Sequence, residues 1–149
     1  MATRDEVYAK FGITAEAAQL FEVELGSLLL CARAIKQGWR FKADSDKARK
    51  LLHDIDRSTL GHLLGNLKKC VRLDDGLADR FASALQTRNR LFHRFYESHS
   101  FKIQTDEGRD AMMADLETMH VDLVNAWQVA SSMAGAATAF LLELRSKRA

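Results

Sequence analysis

The chain has 149 residues, 47% of them hydrophobic and 28% charged, the usage of an ordinary globular protein at the length of one domain, which excludes fibrous and disordered readings. Its 22 basic and 20 acidic side chains leave a formal charge of only +2, so bulk coating of a polyanion is excluded as well. There is no proline where average usage would give about seven, and there are only eight glycines; together these predict an all-α protein.

Thr3, with Glu6 three residues on, reads as a capping box opening a short first helix that Gly12 closes. A second helix is predicted from about Thr14 to Gln37, stopped by Gly38, with Ala17, Phe21, Leu25, Leu28, Ala32 and Ile35 recurring at spacings of four and three. Glu24 falls within that apolar face. Ser45 can cap a short third helix carrying Leu51 and Leu52, and Ser58 or Thr59 can cap a fourth through Leu60, Leu63, Leu64 and Leu67. Asp74 and Asp75 open a fifth helix over roughly Gly76 to Ser98. From Thr105 a very long pattern begins, in which Met112, Leu116, Met119, Leu123, Ala126, Ala130, Met133, Ala137, Phe140 and Leu144 step by four and three. Either one helix spans it or Gly135 marks a bend. The expected architecture is one domain, 1–149, an antiparallel helical bundle of five or six helices with a long C-terminal helix.

The opening MATRDEVYAKFG is charged from its fourth residue, so the chain is expected to stay in the cytoplasm. The stretch from Met133 to Leu142 is too short to cross a bilayer, and no membrane association is expected. Cys31 and Cys70 are the only cysteines, no His-x-x-x-His pair occurs, and no metal or other cofactor is expected. Gly61-His62-Leu63-Leu64-Gly65 lacks the lysine and hydroxyl that a phosphate loop requires. Charge is unevenly spread. Eight basic and four acidic residues lie between Gly61 and Lys102, whereas residues 103–149 hold four basic and seven acidic. A basic centre of that kind permits phosphate binding without demonstrating it.

On a 100° wheel, the fifth helix gathers Leu77, Ala78, Phe81, Ala84, Leu85, Leu91, Phe92, Phe95 and Tyr96 on one broad apolar face. Arg88 falls near the middle of that face, where a guanidinium loses water and must find an anion or several acceptors. Asn89 and His93 lie one turn apart at the edge of the same face. The run Arg88-Asn89-Arg90-Leu91-Phe92-His93 resembles the Arg-Asn-x-x-x-His motif of the HEPN (higher eukaryote and prokaryote nucleotide-binding) domains. Its setting late in a helix of a small all-helical chain, with Phe92, Phe95 and Tyr96 following, fits the same family.

The resemblance implies a homodimer in which the two motifs face each other across a cleft and act as a metal-independent endoribonuclease. His93 would be the acid or base, Arg88 would hold the scissile phosphate, and Asn89 would orient His93 or donate to a phosphate oxygen. Glu24 and Glu97 are the expected supports, Glu24 fixing Arg88 from behind and Glu97 reaching His93 one turn away. Arg90, Arg94 and Tyr96 are the expected RNA contacts. An antitoxin partner such as a nucleotidyltransferase is implied too, although members so paired carry tyrosine two residues after the histidine, where this chain has Phe95. Two other readings stay open: a non-catalytic dimeric RNA-binding or protein-interaction module, and a purely structural bundle in which a Glu24–Arg88 ion pair accounts for both misplaced charges.

Overall fold

The computed structural model describes residues 1–38 and 45–147, with Ser45 described through its backbone alone. These form five α-helices: α1 (Arg4–Lys36), α2 (Ser45–Asp56), α3 (Leu60–Cys70), α4 (Asp75–Ser98) and α5 (Asp106–Ser146), with a 3-10 turn, Lys102–Gln104, before α5. No strand occurs among the described residues. The chain is an all-α helical bundle with a long C-terminal helix, and the two helices expected on either side of Gly12 are one.

Helix α1 opens on the predicted capping box, Thr3 Oγ1 accepting from the Glu6 amide while the Glu6 carboxylate accepts from the Thr3 amide. It then runs straight through Gly12. Thr14, expected to start a second helix, sits inside this one and donates its hydroxyl to the Lys10 carbonyl at 2.8 Å. A mid-helix glycine costs about 1 kcal/mol, and burial of Val7, Thr14, Ala17, Ala18 and Phe21 on one continuous stripe outweighs it. At the far end Gly38 takes φ 74°, a left-handed backbone that ends the helix where the sequence predicts.

Thr59, Asp74 and Thr105 each accept a hydrogen bond at the start of α3, α4 and α5, as their positions predict. The cap expected from the Ser45 side chain lies outside the described residues. Helix α5 is continuous over 41 residues with no break at Gly135. Its seam is fully buried from Met112 to Ala130, whereas Phe140 farther along it is half-exposed, as is Leu142 beside it.

The two long helices run parallel. Arg109 reaches the Ala2 carbonyl, Lys10 pairs with Glu117, and Cys31 Sγ lies 3.3 Å from Thr138 Oγ1, three contacts with the same separation of 107 positions. Helix α4 runs antiparallel to both. Phe11 meets Phe95 and Phe21 meets Phe81, each at 5.7 Å between ring centroids, while Arg90 reaches Asp115 and Thr87 reaches Asp122 on α5. Phe21, Leu25, Leu67, Phe81, Leu91, Phe95, Met112, Leu116 and Leu123 fill the space between these helices. The short connection from α4 to α5 is held by Arg109, which donates to the Ile103 and Ala2 carbonyls and pairs with Asp106. Gly108 is buried there, where a Cβ would meet the Lys102 carbonyl oxygen at 2.0 Å. Among the described residues, no helix is long and apolar enough to cross a membrane.

Candidate active site

The C-terminal half of α4 carries the motif. Its inner positions, Leu91 and Phe95, are buried in the core and fix the rotation of the helix, so the positions between them must face outward or sideways. Asn89 and His93 are exposed, and together with Gln86, Arg90 and Arg94 they line an open concavity of about 540 Å³. Gln86 has no counterpart in the motif, although it lies three residues before Asn89 and seven before His93 on the same side, a spacing that could have pointed to it.

Arg88 is drawn in against α1. Its Nε donates to Glu22 Oε1 at 2.6 Å, with 27% of the Arg88 side chain and 29% of the Glu22 side chain exposed. The guanidinium lies 5.0 Å above the centre of the Phe92 ring, and its Nη1 donates to Asn89 Oδ1 at 3.2 Å. That contact uses the acceptor end of the Asn89 amide and turns no donor inward, so its NH₂ remains for an incoming oxygen. Among the described residues, Nη2 of Arg88 makes no hydrogen bond.

The expected partner of Arg88, Glu24, is replaced by Glu22. On α1 these two positions are 200° apart and flank the buried stripe on opposite sides. Helix α4 packs on the Phe11 side, as the Phe11 contacts with Phe95 and Tyr96 establish, and Glu22 is on that side. A wheel shows which residues border the core, and only the neighbouring helix decides which border is used.

Arg90 is held more firmly than an RNA contact would require. Its Nη1 and Nη2 donate to the two carboxylate oxygens of Asp115 at 2.8 and 2.9 Å, and Asp115 also receives His99 Nε2 at 2.6 Å. The Arg90 hydrogen bonds, with that of His99, hold the Asp115 carboxyl below its usual range, while Asp115 raises the affinity of Arg90 for its proton. His99 is buried against Phe95, and among the described residues its Nδ1 has no hydrogen-bond partner. Neither Asp115 nor His99 carries a sequence signal for this role, since the contact spans the α4–α5 turn.

Tyr96 packs on Phe11 and Phe95, with 46% of it exposed, and partial burial raises its phenol pKa. Arg94 is exposed on the rim. Glu97 is exposed too, and among the described residues its carboxylate makes no bond to His93. The structure therefore brings together Arg88, Asn89, Phe92 and His93 with Gln86, Arg90 and Arg94, and leaves Glu24 and Glu97 outside. Among the described residues, no group of three or more histidines, cysteines or acidic residues could hold a metal ion. Comparison of the chain with protein-family models, curated proteins and solved structures gives no match.

Proposed function

We propose that this protein is a metal-independent endoribonuclease of the HEPN type, acting as a symmetric dimer. The observation that carries the reading is the open concavity holding His93 and Asn89 side by side, next to the Arg88 guanidinium, whose outer edge makes no hydrogen bond among the described residues. The ribose 2′-hydroxyl gives its proton to the imidazole of His93 and attacks phosphorus. The bond to the 5′ oxygen breaks, and that oxygen takes a proton from the partner's His93, leaving a 2′,3′-cyclic phosphate and a free 5′-hydroxyl. The nucleophile comes from the RNA itself. The unpaired edge of Arg88 and the amide NH₂ of Asn89 meet the charge that builds on the non-bridging oxygens. Glu22 acts behind Arg88 as its positioning residue, the role expected of Glu24. Phe92 and Tyr96, exposed beside the site, give a second protomer an apolar surface on which to seat.

The test is incubation of purified protein with RNA in the presence of a chelator. Wild type is expected to yield cyclic-phosphate ends, and His93→Ala and Arg88→Ala are each expected to lose at least about 100-fold in rate with helical content unchanged. RNA left whole by the wild type, with no other protein present, overturns the proposal.

The Glu22–Arg88 pair favours a second reading, a non-catalytic RNA-binding or protein-interaction module in which Arg88 is structural. This alternative expects salt-sensitive binding without turnover, and binding that survives Arg88→Met when Glu22→Gln accompanies it.

A further inference from the structure

At the other end of α1 a second concavity of about 320 Å³ opens where the last turns of α1 and α3 come together. It is lined by Arg33, Lys36, Gln37, Asn66, Lys69 and Cys70. Three of these six are cations and none is an acid. Among the described residues, Arg33, Lys36 and Lys69 form no ion pair, whereas Arg88, Arg90, Arg109 and Lys10 all do.

Basic residues in a last helical turn are ordinarily explained by the negative end of the helix dipole. Two helix ends meet here, each equivalent to about half a negative charge, so together they offset about one of the three positive charges. About two remain. The amides of Gln37 and Asn66 add neutral donors beside them. Like charges held together oppose folding, no acid among the described residues lines the concavity, and two neighbouring singly charged backbone phosphates, or one phosphate dianion, would relieve them.

We propose that the converging C-terminal ends of α1 and α3 form a phosphate-binding exosite, gripped by Arg33, Lys36 and Lys69, that holds the RNA backbone away from the scissile bond. The phosphate chemistry stands on this concavity alone, and only its assignment to RNA rests on the ribonuclease reading. Placement supports the assignment. Arg33 is eleven residues beyond Glu22 on α1, three full turns to within 20°, so it faces the flank along which α4 presents Arg88. The separation along the helix axis is about 17 Å, a span that a short single strand covers.

The test measures binding of a 2′-O-methyl single-stranded oligonucleotide, which cannot be cleaved, as a function of salt. In single strands each neutralised phosphate contributes about 0.7 to the slope of log affinity against log salt, so Arg33→Gln/Lys36→Gln/Lys69→Gln, which removes a site for about two phosphates, should flatten it by about 1.4. Arg4→Gln, at an exposed position in the first turn of α1, far from the concavity, should leave the slope as it is. In a second arm, inorganic phosphate should raise the melting temperature of the wild type above that in sodium chloride of equal ionic strength, and should not do so in the triple variant. An unchanged slope together with no phosphate effect overturns the exosite. Phosphate stabilisation with an unchanged slope supports a phosphate site but overturns its assignment to RNA, in favour of a small phosphate-bearing ligand. If the slope flattens while unmodified RNA stays uncut by the wild type, the exosite stands and the nuclease reading falls. Cleaved RNA with neither effect does the reverse, removing the exosite and leaving the nuclease in place.

Discussion

Arg88 shows how a charge on an apolar face can serve two masters. Its Nε is spent on Glu22 and its face on Phe92, which keeps it tolerable within the bundle, while its outer edge remains for a ligand. Stability and activity should therefore separate. Arg88→Met is expected to cost roughly 1–3 kcal/mol in a urea melt, less than the 3–5 typical of a fully buried pair because both side chains are more than a quarter exposed. Adding Glu22→Gln should recover most of that loss, with RNA cleavage still absent. Asp115 gives a pH prediction. Its folded-state carboxyl releases its proton more readily than the ordinary value of 3.8, because Arg90 and His99 donate to the ionised form. The stability it contributes is present above about pH 4 and is lost as pH falls through the lower folded value. Asp115→Asn should thus be less stable than wild type at pH 7, by on the order of 1 kcal/mol after solvent screening, and the difference between their denaturation midpoints should shrink as pH falls below about 4. That Arg88 needs an acid was legible in the sequence. That the acid is Glu22, and that Arg90 has its own in Asp115, was not, because both pairs depend on which flank of one helix meets the next.

At the scale of the element, the helix ends were the most legible features. Thr3, Thr59, Asp74 and Thr105 all cap where a hydroxyl or carboxylate stands just ahead of an apolar stripe, and the Gly38 backbone takes the left-handed turn. Gly12 misled by suggesting a stop, because continuous burial around it overrides local preference, and at Gly135, where the sequence left a bend open, the helix runs on unbroken. Gly12 and Gly108 yield opposed predictions. Nothing lies within 4 Å of a Cβ on Gly12, so Gly12→Ala should stabilise the protein by about 0.5–1 kcal/mol in thermal denaturation. Gly108→Ala drives a methyl into the Lys102 backbone, which cannot rotate away, and should destabilise by about 1–3 kcal/mol or more. Because Gly108 secures the turn that ends α4, loss of its fit should lower RNA cleavage as well as the melting temperature.

For the molecule as a whole, the expectation of a composite site means that catalysis needs two copies. Specific activity per protomer should fall on dilution, with a midpoint that matches the dissociation constant measured by sedimentation; activity independent of concentration would limit the site to one chain. The fold class and the long last helix were legible from absent proline and the unbroken seam, whereas the parallel course of α1 and α5 was not, since periodicity carries no direction. That parallel course has a consequence for synthesis. The side of α1 that faces α5 finds its cover 107 positions later, so at 5–20 residues per second a nascent α1 waits about 5–20 s on the ribosome with that side bare. Sequence-distant pairing of this kind slows folding below the rate usual for helical bundles, and during that interval the first helix is an obvious client for a chaperone.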